Sequence, residues 1–155
     1  MILLQIDENL LPLVSQSQLE QAASAVLVNQ SQSEGVDLTI VITGDETLHK
    51  LNKQFMDVDA PTDVLSFPSG EPDPETGRIY LGDILISYPR AESQAEQGGH
   101  ATPDELQLLT VHGVLHLLGH DHANDDQKSK MWAAQAEILK TIGCPIPRLN
   151  YPIHF

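Results

Sequence analysis

The chain has 155 residues, 41% apolar and 19% charged, which fits one globular domain with a sizeable core and argues against disorder. Its net charge is −14, with 8 basic residues against 22 acidic ones and no basic cluster, so long-range attraction to nucleic acid or an anionic membrane is not expected. No apolar run approaches the roughly 18–20 residues that span a bilayer, no basic segment of a secretory leader precedes the first apolar residues, and one cysteine, Cys144, excludes an internal disulfide, so a cytoplasmic location is the expectation.

Residues 1–7 alternate weakly and predict a first strand. Ser17 and Glu20 stand at capping-box spacing, each able to satisfy a free amide of a first turn, and predict a helix running to about Asn29. After a polar loop, Val36 to Thr43 alternates with Leu38, Ile40 and Ile42 on one side, which reads as a second strand. Asp45 is placed to cap a helix carrying Leu48, Leu51 and Phe55 at helical spacing. The acidic stretch from Met56 to Thr62 reads as a loop, and Asp63 to Phe67 as a short strand closed by Pro68. Ser69 to Gly77 holds two prolines and two glycines among acids, the composition of an exposed turn or mobile loop. Ile79 to Ser87 is the fourth strand, and a polar helix over roughly 89–97 ends at Gly98 and Gly99.

Thr102, Pro103 and Glu105 predict the next helix start, with Thr102 capping, Pro103 in the first helical position and Glu105 closing the box. That helix should stop at Gly119, and Asn124 to Gln127 opens a last one that Gly143 and Pro145 end. With no repeat and no internal linker, residues 1–155 are expected to form one α+β domain with a small mixed sheet of about four strands.

Within the fourth predicted helix, His112 and His116 are four residues apart and so lie one above the other on the same face. The break at Gly119 lets the chain turn back, so that His122 can add a third imidazole from another direction. Two ligands from a helix and one from the following loop make a half-open tetrahedron, the arrangement of a catalytic zinc that keeps a position for water. Leu106, Leu109 and Leu117 fall on one flank of the histidine stripe, and Leu108, Val111, Leu115 and Leu118 on the other. A helix apolar nearly all round is buried, and buried imidazoles need partners for their nitrogens. A shared metal supplies them better than three separate hydrogen-bonded core histidines would. Zinc is the expected ion, although three imidazoles also suit nickel or copper.

The other histidines read differently. His120 is expected at the mouth of the site, while His49, His100 and His154 stand alone in polar or terminal contexts and are expected on the surface. Trp132 reads as core and Cys144 as a structural thiol. Zinc peptidases place a glutamate directly after the first helix histidine as general base, and here that position is Gly113. Two carboxylates are candidates for an orienting role beside the metal. Asp83 is expected to share a strand face with Ile79, Leu81 and Leu85, either buried or partly solvated, and Asp121 either supports the neighbouring ligand or simply caps or is exposed. Asp63 is expected merely to cap or to close a turn.

Four stretches together carry a resemblance: Leu51-Asn52, Pro61-Thr-Asp-Val-Leu-Ser-Phe-Pro68, Leu81-Gly-Asp-Ile-Leu-Ile-Ser87, and His112-Gly-Val-Leu-His-Leu-Leu-Gly-His-Asp-His122. In this order they resemble the YbeY endoribonucleases, bacterial ribosomal RNA maturation factors. The resemblance implies a zincin-like arrangement around a small sheet and a zinc held by His112, His116 and His122. It also implies cleavage of single-stranded RNA, maturation of the 3′ end of the small-subunit ribosomal RNA, and ribosome quality control. One departure stands out: the family usually carries an arginine where this chain has Met56, and a methionine cannot neutralise a phosphate. Either another cation substitutes, with Lys53, Arg78 and Arg90 as the candidates, or turnover is weak; His120 also replaces a usual aromatic.

The expected activity is therefore metal-assisted hydrolysis of an RNA phosphodiester. With so few cations, recruitment through ribosomal or assembly-factor proteins is expected. The alternative is a ribosome-assembly factor whose metal only holds the fold.

Overall fold

The computed structural model describes residues 1–32 and 34–146. Four strands, β1 (Ile2–Ile6), β2 (Val36–Thr43), β3 (Val64–Pro72) and β4 (Ile79–Ser87), form a mixed sheet in the order β1-β2-β4-β3. β1 and β4 both run parallel to β2, and β3 pairs antiparallel to β4 as an edge strand. Five α-helices complete the described chain: α1 (Gln16–Asn29), α2 (Asp45–Met56), α3 (Tyr88–Gly98), α4 (Thr102–Leu117) and α5 (Asp125–Thr141). A 3-10 helix over Glu8–Leu13, which the sequence pattern did not signal, joins β1 to α1.

The expected α+β class and four-stranded sheet are what the chain forms. The alternating apolar residues build the core as periodicity requires. Leu38, Ile40, Ile42, Val64, Ile84 and Ile86 are fully excluded from solvent on the face that α4 covers. α4 is central, packed against β3, β4, α1, α3 and α5. Its Leu109, Val111, Val114 and Leu115 are wholly buried, as expected for a helix apolar on every side. Each such side chain contributes on the order of 1.5–3 kcal/mol. α2 packs against β3 and β4 through Leu48, which is buried, whereas Phe55 stays exposed with its ring edge-on to Phe67.

Several local expectations are corrected. Ser15 rather than Ser17 caps α1, accepting from the Gln18 amide. Gly44 is the cap of α2, and Asp45 sits inside its first turn, accepting instead from the Ser87 hydroxyl at 2.6 Å. Ala101 precedes α4, so Thr102 is already helical and Glu105 is not free to close a box. Strand β3 does not end at Pro68 but runs irregularly to Pro72, and the turn is confined to the residues between Pro72 and Ile79. An edge strand tolerates a proline because no neighbour needs its amide.

The correction with most consequence is at Leu81. Asp37 pairs with Tyr80 and Leu38 with Gly82, so Leu81 is an extra residue in β4. Such a bulge reverses which face each later residue points to. Asp83 therefore shares the face of Tyr80 and Thr39, away from α4, and not that of Leu81. Gly82 at the bulge has φ +138, and a Cβ there would lie 2.2 Å from the Phe67 carbonyl oxygen.

Candidate metal centre

His112 and His116 project from the last two turns of α4, which ends at Leu117 before Gly119 adopts φ +95. The turn so made brings His122 back against them. Ring centroids are 4.6 Å apart for His112 and His116, 5.2 Å for His116 and His122, and 5.8 Å for His112 and His122. One nitrogen from each ring lies within 4.8 Å of the other two. Nε2 of His112 and Nε2 of His116 approach to 3.1 Å. Two nitrogens bound tetrahedrally at 2.0–2.1 Å to one zinc sit roughly 3.3 Å apart, so the pair is already at ligand spacing.

Nε2 of His122 is buried without a hydrogen-bond partner among the described residues. A buried polar atom of that kind is costly unless something binds it. A cation meeting the two Nε2 atoms of α4 would do so, and the three-imidazole donor set suits a divalent transition metal. Burial first, and the neighbouring His122 next, hold the His116 imidazole below the ordinary histidine value, which favours the neutral ring that a metal needs.

The surroundings are asymmetric. On the inner side, Nδ1 of His112 meets Oε1 of Gln135 of α5 at 3.1 Å, and Gln135 is 2% exposed. The Trp132 ring stands edge-on to both His112 and His122, with centroids 5.7 Å from each. Trp132 is thus partly core, as expected, and partly a wall of the site. On the outer side the site opens into a cleft of about 510 Å³ lined by Ser66, Pro68, His116, Gly119, His120, Asp121 and His122. Volumes of that size accept ligands of nucleotide dimensions.

His120 lies at this mouth, as expected, with Nε2 2.8 Å from Gln30 Oε1. Asp121 lines the cleft and accepts the His122 amide at 2.7 Å, so it shapes the loop that carries the third imidazole. Asp83 is not brought to the site: it lies across the sheet and accepts from the Tyr80 hydroxyl, which also bonds Thr39 Oγ1 at 2.5 Å. Asp63 is wholly buried, accepting from the Gln94 side chain and the Val64 amide. His100 is not a surface residue. Its side chain is 4% exposed, with Nε2 2.6 Å from the buried Glu105 carboxylate, because the left-handed Gly99 folds it over the first turn of α4. His49 is on the surface, paired with Asp59, and His154 lies outside the described residues.

None of the three cations named as substitutes for an arginine at position 56 lines the cleft. Arg78 is bound to Asp37 at 2.6 Å where β4 begins. Arg90 pairs with Asp45 at the opposite end of β4, and Lys53 is 3.9 Å from Asp59 on the exposed side of α2. Two lysines of α5 do flank the site. Lys128 lies over the Trp132 ring, 5.7 Å from its centroid, and Lys130 lines a groove with His120 and Asp121. Sequence reading missed both, and Gln135 too, since each depends on how α5 docks on α4.

Comparison with known proteins agrees with this geometry. A family profile described as Endoribonuclease YbeY matches residues 5–143. A protein of Chloroflexus aurantiacus named endoribonuclease YbeY is 46% identical over 149 residues, covering 91% of this chain and 94% of its own. One of the same name from Heliobacterium modesticaldum is 41% identical over 139 residues, covering 83% of both chains. A solution structure of a Thermotoga maritima protein superposes with a TM-score of 0.61 at 26% identity, over 92% of this chain and 89% of the other. A match over nearly the whole chain, the three histidines included, means that the chain belongs to the YbeY endoribonuclease family.

Proposed function

We propose that the chain is a metal-dependent endoribonuclease that cuts single-stranded RNA during ribosomal RNA maturation, notably at the 3′ end of the small-subunit RNA, and in ribosome quality control. The observation that carries the metal dependence is the convergence of three imidazole nitrogens, one of them buried and unpartnered, beside an open cleft. A divalent ion bound there, for which zinc is the proposal, supplies Lewis-acid polarisation of a phosphoryl oxygen. His112, His116 and His122 would hold it. The buried α4 keeps water from the inner side, and Asp121 steadies the loop bearing His122 at the rim. Gly113 leaves no carboxylate base next to His112, which argues against peptide hydrolysis by the paired-histidine mechanism. Lys128 and Lys130 are proposed as the positive charges that meet RNA phosphates, the role Met56 cannot fill. Among the described residues no helix is long and apolar enough to cross a membrane; cytoplasmic location and recruitment by ribosomal or assembly proteins belong to the same proposal.

The test is His116→Ala, assayed for metal content and for cleavage of single-stranded RNA. Both should fall together to background. Undiminished cleavage by a metal-free, nuclease-free preparation of the variant overturns the reading. The second reading, an assembly factor with a structural metal, is favoured by Met56 and the low cation count. Chelation separates the two, since loss of cleavage with the fold intact supports the enzyme and unfolding without prior activity supports the structural role.

A further inference from the structure

We propose that Gln135 is a positioning residue that fixes the tautomer of His112 and, by being an uncharged amide, sets how tightly the centre holds its metal. The inference rests on the metal reading above. Its starting point is that His112 is completely buried, so neither ring nitrogen can turn to solvent for a partner. Nε2 faces Nε2 of His116 at 3.1 Å, and a nitrogen that shares a cation must present a lone pair there. The proton of neutral His112 therefore resides on Nδ1. Among the described residues, Oε1 of Gln135 stands 3.1 Å from Nδ1, in place to accept that proton. With the amide reversed, its NH₂ would donate to Nδ1 and drive the proton to Nε2, which would close the metal position.

The identity of the acceptor then matters. Imidazole ligands often donate their second N–H to a carboxylate, which raises ligand basicity and adds a negative charge near the ion. Here the acceptor is neutral at every pH, and imidazoles bind a cation in their neutral form, so the three ligands would add no charge either. Among the described residues that line the cleft, only Asp121 carries a carboxylate. A divalent ion in this setting keeps nearly all of its positive charge available to an anionic phosphodiester. The same neutrality weakens retention of the ion compared with a carboxylate acceptor. Gln135 is 2% exposed and lies 23 residues from His112 in sequence, so α5 must be docked on α4 for the ligand to be set.

The experiment measures Zn²⁺ affinity directly, by competition with a chromophoric chelator and by fluorescence of Trp132. That residue is the sole tryptophan, and its ring is 5.7 Å from two of the ligand rings. Gln135→Met keeps the volume and removes the acceptor. It should weaken Zn²⁺ binding 10- to 100-fold, the usual effect of losing such a partner, while the melting temperature of the metal-free protein holds or rises. Gln135→Glu restores an acceptor with charge and should bind Zn²⁺ at least tenfold more tightly than the unmodified chain. Affinity within twofold of the unmodified chain in both variants overturns the proposal. Should Gln135→Met fail to fold, Gln135→Glu decides alone, with equal or weaker binding as the refuting result. A failure of the underlying metal reading looks different: the unmodified chain and His116→Ala would then bind Zn²⁺ equally poorly.

Discussion

Replacing Gly113 by alanine probes the one contact that explains both the packing of α4 and the missing glutamate. A Cβ at this position would lie 2.7 Å from Cγ2 of Ile84 and 3.3 Å from its Cγ1 and Cδ1. Ile84 is fully buried in the centre of β4, and its branched Cβ leaves it little freedom to rotate away. The Gly113 carbonyl is also engaged, accepting from the Ser66 hydroxyl at 3.2 Å. Overfilling a core costs about 1–3 kcal/mol, and a 2.7 Å approach to a fully buried, branched side chain belongs to the upper part of that range, about 2–3 kcal/mol. Against it stands a gain of about 0.8–1.0 kcal/mol, because alanine favours the helix more than glycine does. The balance is a net loss of about 1–2 kcal/mol, which for a domain of this size lowers the melting temperature by about 2–8 °C. Urea and thermal unfolding of the metal-free protein measure it. Ile84→Ala in the same background makes room for the new methyl, so the double variant should be more stable than the sum of the single losses by at least ~0.5 kcal/mol. Gly113→Ala as stable as the unmodified chain, or strict additivity with Ile84→Ala, would refute the reasoning. The same contact shows why a glutamate has no place beside His112: its side chain would be driven into the Ile84 layer.

Two further outcomes follow from the electrostatics. Lys128→Gln and Lys130→Gln should each raise KM for single-stranded RNA several-fold with less effect on kcat, and each should reduce the slope of log affinity against log salt by about one. Lys140→Gln, at the far end of α5, is the control, and unchanged KM and salt slope in the first two variants removes these lysines from the RNA contact. Burial pushes the Cys144 thiol up to about 12, so the folded protein holds it protonated at pH 8. A thiol reagent at pH 8 should therefore react slowly with the native chain and rapidly in denaturant; equal rates would show that Cys144 is not sequestered.

Patterns that repeat along one element, the apolar periodicity and the histidine spacing, were legible in the sequence, whereas the caps of α1, α2 and α4 were not. The spacing of His112 and His116, the break at Gly119 and the return of His122 are properties of one helix and its end, so the metal cluster could be assembled on paper. The alternation of β2 and the apolar faces of α4 were equally local. Tertiary structure decided what local pattern cannot carry. One extra residue at Leu81 moved Asp83 to the far side of the sheet, since the two-residue period of a strand is reversed by any single insertion. The fold of Gly99 buried His100 on Glu105. Gln135, Lys128 and Lys130 came to the histidines only through the docking of α5 on α4, and Gly113 took its meaning from Ile84, 29 positions earlier in the chain. The ligands of the centre are thus written in one segment. Their orientation, electrostatic setting and access to substrate arise from packing between segments, which periodicity does not encode.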